Sequence, residues 1–166
     1  MNTAQAIQAT AATSDMIVKT YVSDLEDADL MRRPHPDCNH LAWQLGHLIS
    51  SEAQLLEMLQ PGAAPPLPPG FHDQYSRDTV GDDEPDHFHT KQEYLELFEL
   101  VRAATHAAIE KVSDADLDAP NPHPDENFRK SFPTIGSMYV LTATHPMMHA
   151  GQFVPVRRAV QKPVLI

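Results

Sequence analysis

Apolar residues recur with helical spacing in four stretches of the chain, and no stretch alternates convincingly with a period of two. The first stretch covers about residues 3–25, and the second runs from residues 37–39 to about residue 60, before Pro61 and Gly62. The third follows Thr90, which stands three residues before Glu93 in the spacing of a capping box, and reaches about residue 112. The fourth begins with Thr134 as its cap and reaches about residue 161. The pattern predicts an all-α fold built from four helices.

The connections between these helices differ in length and composition. Residues 61–89, between the second and third helices, are rich in Pro, Gly and Asp and cannot bury a core of their own. This length suits a crossover that runs along a bundle, because ordinary connections in bundles are much shorter. Residues 27–30 and residues 114–117 both read Asp-Ala-Asp-Leu. This echo indicates two related helical hairpins, unless it is a coincidence among common turn residues.

Length and composition narrow the classes of protein that the chain can belong to. The 166 residues, 42% of them hydrophobic, are enough for one buried core, so we expect a single domain over residues 1–166. A net charge of -11 repels a nucleic-acid backbone and an anionic membrane surface. No apolar run approaches the ~20 residues of a membrane span, and residues 1–15 lack the features of a signal peptide. We therefore expect a cytoplasmic protein that binds neither nucleic acid nor membrane.

The single cysteine, Cys38, cannot form an internal disulfide, and a thiol-based zinc knuckle needs more cysteines. Any metal site must therefore use histidines and carboxylates. The fourth helix carries the most informative pattern, because six side chains share one face: Met138, Thr142, His145, His149, Gln152 and Val156. Buried polar groups need partners, and histidines four residues apart are close enough to bind one ion. A polar core layer of hydrogen-bonded histidines, or histidines that face solvent, is the alternative.

His47 is the natural third ligand, because it lies at the edge of the leucine stripe of the second helix. Three histidines leave positions for water or substrate, as in catalytic zinc sites. An ordinary, partly buried histidine is the alternative for His47. Two weaker catalytic candidates are Glu52 and Gln152. Glu52 is either a buried general base or, as we favour, a surface carboxylate, and Gln152 either orients His149 or is an ordinary polar residue.

Pro146 interrupts the predicted fourth helix, because it lacks a backbone donor and crowds the carbonyl of Thr142. We expect a kink that either tunes the geometry of His145 and His149 or separates them. Most other histidines should lie at the surface, since they fall in loops or at helix ends: His35, His40, His72, His87, His89, His106 and His123.

Two blocks of sequence resemble the DinB/YfiT-like superfamily, whose members are regarded as metalloenzymes. Residues 43–48 read Trp-Gln-Leu-Gly-His-Leu, and residues 145–152 read His-x-x-x-His-Ala-Gly-Gln. The resemblance implies a four-helix bundle with an up-down-down-up arrangement, homodimers in many members, and metal ligands at His47, His145 and His149. Many relatives have an ordinary helix former where this chain has Pro146.

The activity that the resemblance implies is a metal-dependent reaction of a low-molecular-weight thiol with a small electrophilic substrate, as in the S-transferases and isomerases of the superfamily. A metal-dependent hydrolase, in which the ion activates water instead of a thiol, is the other enzyme that this site could form. The alternative is a non-catalytic metal-binding or stress-response bundle. Imidazole ligands suit zinc, nickel and iron alike, so the sequence leaves the metal open.

Overall fold

The computed structural model describes residues 1–166 and contains eight α-helices and no β-strand. The four long helices are α1 (Thr3–Val22), α3 (Leu41–Leu59), α5 (Lys91–Ile109) and α8 (Ile135–Ala159). Four short helices lie in the connections: α2 (Asp27–Leu30), α4 (Phe71–Gln74), α6 (Asp114–Asp118) and α7 (Glu126–Ser131). The crossover between α3 and α5 also contains 3-10 turns at Arg77–Thr79 and Pro85–His87. The all-α prediction is confirmed.

The helix starts follow the capping residues, with one correction. The side chains of Thr90 and Thr134 accept hydrogen bonds from backbone N–H groups three residues on, as predicted for α5 and α8. At α3 the predicted cap within residues 37–39 is wrong, because His40 takes this role. Its Nδ1 accepts from the N–H of Trp43 at 3.0 Å, and its Nε2 lies 3.0 Å from the carbonyl oxygen of Asp82. His40 is fully buried, contrary to the surface position expected for it.

Contacts near the helix ends establish the direction of each long helix. Arg157, near the end of α8, donates to the carbonyl of Tyr21, near the end of α1, so these neighbouring helices run parallel. Gln60, just after α3, donates to the carbonyl of Ala108 at 3.1 Å, so α3 and α5 also run parallel. The crossover of residues 60–90 makes this second parallel pair possible. Gln60 also donates to the hydroxyl of Tyr139, near the start of α8, so α3 runs antiparallel to α8. The bundle therefore has the up-down-down-up arrangement that was expected.

The crossover contributes more to the core than its polar composition suggests. Phe71 and Tyr75 are buried in the larger apolar cluster of the bundle. The Tyr75 ring lies directly against Gly46 of α3, where a Cβ atom would stand only 2.2 Å from the ring. The absence of a side chain at Gly46 thus lets the crossover pack against α3 one residue before His47.

A layer of buried polar side chains lies between the two apolar clusters of the core. Nη1 of Arg102 lies 2.8 Å from Oε2 of Glu52, and Nε of Arg102 lies 2.5 Å from Oδ1 of Asp15. Thr105 donates to the other oxygen of Glu52 at 2.6 Å. The favoured surface position of Glu52 is therefore wrong: α1 and α5 supply partners that make its burial possible. Burial raises the pKa of Glu52, against the attraction of Arg102.

The two Asp-Ala-Asp-Leu segments adopt the same structure. Each begins a short helix whose third residue, Asp29 in α2 and Asp116 in α6, accepts a hydrogen bond from the backbone N–H of the cap residue. The leucine that ends each Asp-Ala-Asp-Leu segment, Leu30 or Leu117, is buried in the core. This likeness favours two related hairpins over a coincidence. None of the helices is long and apolar enough to cross a membrane.

Candidate metal centre

The bundle brings His47, His145 and His149 together between α3 and α8. The ring centroids lie 5.3 Å apart for His47 and His145, 5.5 Å for His47 and His149, and 4.8 Å for His145 and His149. One nitrogen from each ring lies within 4.8 Å of the others. These three residues could hold a metal ion, and no cysteine or carboxylate joins them in a larger cluster.

Gln44, one turn before His47 on α3, fixes the orientation of His149. The Gln44 side-chain amide donates to the carbonyl of Asn39 at 2.6 Å, which turns its oxygen toward His149. That oxygen lies 2.9 Å from Nδ1 of His149 and accepts a hydrogen bond from its N–H group. Nε2 of His149 is then the bare nitrogen, and it faces the other two histidines.

The distance between the two α8 imidazoles fits a shared ion. Two metal–nitrogen bonds of about 2.0–2.1 Å at a tetrahedral angle separate their nitrogens by about 3.3 Å. Nε2 of His145 and Nε2 of His149 are 3.2 Å apart. One N–H···N hydrogen bond from His145 also fits this distance, but it leaves His47 outside the interaction, whereas a shared ion uses all three rings.

The surroundings keep the three histidines neutral, which is the protonation state that binds metals. Burial lowers the pKa of His145 to about 4 and that of His149 to about 3, with a further decrease from the neighbouring histidines. Burial also lowers the pKa of His47, and the positive charge of Arg77 adds to this effect. All three imidazoles therefore have a free lone pair at neutral pH.

Trp43 holds the ring of His47 by stacking on it. The two rings stack with centroids 4.9 Å apart and an angle of 8° between their planes. Nε1 of Trp43 donates to Oγ1 of Thr79 in the crossover at 3.1 Å, which fixes the indole. The orientation of His47 thus depends on the crossover as well as on α3.

Two cavities of different character meet at the histidine cluster. One, of about 320 Å³, is lined by His47 and His145 together with six hydrophobic residues: Leu55, Met58, Phe128, Phe132, Leu141 and Met148. The other, of about 190 Å³, lies on the crossover side of His47 and contains Ser50, Ser76 and Arg77. The largest cavity of the protein, about 580 Å³, lies between α2 and residues 85–90, and none of the three histidines lines it.

The two weaker catalytic candidates lie away from these cavities. Glu52 is buried in the polar layer of the core and lines neither of the two cavities at the histidines. Gln152 is exposed and makes no hydrogen bond to His149, whose partner is Gln44. No role was predicted for Gln44 from the sequence; its position three residues before His47, on the same helix face, is the signal that could have indicated it.

Comparison with known proteins places this bundle in a family. A family model described as the DinB superfamily matches residues 11–153. The chain belongs to the DinB superfamily. A solved structure with the same fold is the crystal structure of the conserved protein of locus from Enterococcus faecalis, with a TM-score of 0.72 and 18% sequence identity. The similarity covers 98% of this chain and 99% of that chain. No curated protein matches the sequence.

This DinB-superfamily protein keeps its last helix continuous through Pro146, so His145 and His149 stay adjacent. The missing N–H of Pro146 leaves the carbonyl of Thr142 without its helical partner. Nη1 of Arg102 donates to this carbonyl at 3.0 Å. Arg102 therefore supplies the hydrogen bond that the proline removes, one turn before His145. The separation of His145 and His149, one of the two expected outcomes, does not occur.

Proposed function

We propose that this member of the DinB superfamily is a divalent-metal-dependent enzyme that transfers a thiol to a small electrophile. His47, His145 and His149 are the proposed ligands. The observation that carries the proposal is that three neutral imidazoles converge beside an open, mostly apolar cavity, with no fourth protein ligand to close the site. A three-histidine site with open positions is typical of catalytic rather than structural metal centres.

A bound divalent ion would supply Lewis acidity, which lowers the pKa of a coordinated thiol or water. The residues around it have separate tasks. Gln44 keeps Nδ1 of His149 protonated and Nε2 bare, and Trp43 holds the His47 ring by stacking. Phe128 and Phe132 offer an apolar surface for the electrophile and exclude water from the reacting atoms.

In the proposed reaction the sulfur of the thiol forms a bond to the electrophilic carbon of the substrate. The bond from that carbon to its leaving group breaks, and the leaving group departs with the electron pair. The thiol proton passes to solvent, so the reaction needs no oxidant or reductant.

The first test is the metal content of tag-free protein purified without added metal. We expect about one equivalent in the wild type and none in the His145→Ala, His149→Ala double variant. A His35→Ala, His87→Ala double variant is the matched control, since both of these histidines are exposed and outside the site. Trp43 gives a second readout, because it is the only tryptophan and stacks on His47. Its fluorescence should be quenched by Ni²⁺ in the wild type and the control only.

The second test is turnover of the metal-loaded protein with a thiol and a nitro-activated aryl chloride, followed by chloride release. Metal-dependent turnover that the double variant lacks supports the enzyme. One bound ion without turnover across a panel of thiols and electrophiles supports the non-catalytic metal-binding bundle instead. If wild type also takes up no zinc, nickel or iron on incubation, the histidines form a hydrogen-bonded layer and the metal proposal is wrong.

We also propose that the protein acts in the cytoplasm as a homodimer, as the likeness to its superfamily suggests. Light scattering on the eluted protein tests the dimer directly. A mass near 18.5 kDa corresponds to one chain and would reject it.

A further inference from the structure

Most of the residues that line the smaller of the two cavities at His47 are polar or charged. Beyond His47 its lining consists of three serine hydroxyls, the Gln54 amide, the Tyr75 ring, His72 and Arg77. The imidazole of His72 is already engaged by Ser50, with Nδ1 and Oγ 2.8 Å apart. Arg77 is then the one permanent charge in the lining, and no carboxylate lines this cavity.

Arg77 lacks a structural role that would explain its position. Its guanidinium is exposed and, like that of Arg158, forms no ion pair within the chain, whereas Arg33, Arg102 and Arg157 each pair with a carboxylate. Asp73 and Asp78 flank Arg77 closely in the sequence, yet neither lines the cavity. An unpaired arginine in a chain with a net charge of -11 presents a local positive site in a generally negative surface.

The two cavities share His47, Ser51 and Gln54, so a molecule in one lies beside a molecule in the other. One side is apolar and aromatic, and the other offers a cation and hydroxyl groups. A guanidinium binds a carboxylate through two parallel N–H donors, which gives this pairing both strength and orientation. The side with Arg77 is thus suited to an anionic molecule and the side with Phe128 to an apolar one.

We infer that the polar cavity is a carboxylate subsite: Arg77 binds the carboxylate of a small anionic thiol and directs its sulfur toward the three histidines. The apolar cavity takes the electrophile. This inference rests on the proposed function and names the class of its thiol substrate. Arg77 acts as a binding and specificity-determining residue, and the hydroxyl of Ser76, which lines the same cavity, is a second donor for the carboxylate.

The test compares two thiols that differ only in charge, 3-mercaptopropionate and 3-mercaptopropanamide. Binding to the Co²⁺-loaded protein is followed by the thiolate-to-metal charge-transfer absorption, which requires no turnover. We expect the wild type to bind the carboxylate about tenfold more tightly than the amide, given one charge-assisted pair in a partly exposed site. Arg77→Gln should bind both thiols equally, and Arg77→Lys should keep part of the preference.

Arg158→Gln is the matched control, because Arg158 is also exposed and unpaired but lies outside both cavities. It should keep the wild-type preference. Equal binding of the two thiols by wild type, or an unchanged preference in Arg77→Gln, would overturn the carboxylate subsite while thiol chemistry at the metal stands. If neither thiol gives the absorption in Co²⁺-loaded wild type, the thiol-transfer function fails and the subsite fails with it.

Discussion

Gly46 permits the close packing of the crossover on α3, and replacing it with alanine should destabilise the protein. The new Cβ would stand 2.2 to 2.4 Å from three atoms of the Tyr75 ring. The ring must move by about 1 Å before an ordinary carbon–carbon contact is restored. Tyr75 has little freedom to move, because it is buried and its hydroxyl lies 2.8 Å from His89 and 2.7 Å from Tyr94.

The size of the effect follows from three contributions. Overpacking a well-filled core costs about 1–3 kcal/mol, and each hydrogen bond of Tyr75 that is lost costs about 1 kcal/mol more. Alanine returns about 1 kcal/mol through its higher helix propensity. We therefore expect Gly46→Ala to lower the free energy of unfolding by about 2 kcal/mol, the balance of these terms.

Gly151→Ala is the matched control, since Gly151 is also helical but a Cβ atom added there would meet nothing within 4 Å. It should raise the free energy of unfolding by up to about 1 kcal/mol. Urea unfolding, followed by circular dichroism, gives both values from the transition midpoints. Equal shifts in the same direction for the two variants would refute the argument that Tyr75 packs against Gly46.

Three further predictions concern other contacts. Asp24→Asn should lower the free energy of unfolding by about 1 kcal/mol, because it removes the carboxylate partner of the buried Arg157. The value is small because the Asp24 carboxylate is partly exposed and solvent screens the pair. Arg157 lowers the pKa of Asp24 in the folded protein. The stability that this ion pair contributes is therefore complete above the pKa of Asp24 in the unfolded chain, about 3.9, and is lost as the pH falls through the lower pKa of the folded protein. Urea midpoints measured from about pH 2 to about pH 7 should show this loss. Gln44→Leu should weaken metal binding about 10–100-fold in calorimetric titration, because His149 loses its orienting acceptor. Arg102→Met should cost about 3–5 kcal/mol in urea unfolding, because it leaves the buried Glu52 and the partly buried Asp15 without their cation.

Each of these variants has a control that shares its chemistry but not its contact. Asp118→Asn removes an exposed carboxylate without an ion pair, Gln152→Leu removes an exposed amide of α8, and Lys111→Met removes an exposed cation. All three should behave like wild type. A Gln44→Leu protein with unchanged metal affinity would mean that His149 does not need this contact, and an Arg102→Met protein of wild-type stability would contradict the role of the polar layer.

The long helices could be predicted from the sequence because their signals are local. The threonine caps of α5 and α8 lie three residues from the groups they bind, and apolar periodicity is carried by each helix alone. The cap of α3 was missed because an imidazole replaced the usual hydroxyl or carboxylate at His40. The burial of Phe71 and Tyr75 was not predicted, because the apolar residues of the crossover do not recur with the regular spacing that identifies a buried face.

The grouping of the three histidines was a prediction from helix spacing, but their surroundings depend on tertiary contacts. Glu52 looked like a surface residue because nothing near it in sequence indicates Arg102 or Thr105, which come from another helix. The same holds for Pro146, whose effect on α8 is set by Arg102 rather than by the residues beside it. The sequence near a residue indicates which hydrogen-bond partner the residue needs, but the partner itself comes from another helix and is known only from the packed structure.

The parallel pairing of the first and last helices has a consequence for the rate of folding. The bond from Arg157 to Tyr21 joins residues 136 positions apart, and the bond between Gln44 and His149 joins residues 105 positions apart. Helical proteins fold fastest when their contacts are local, and long loops must close before distant contacts contribute. We expect this bundle to fold slowly for an all-helical protein. Since the histidine cluster needs α8 in place, an ion that binds there should slow unfolding far more than it speeds folding.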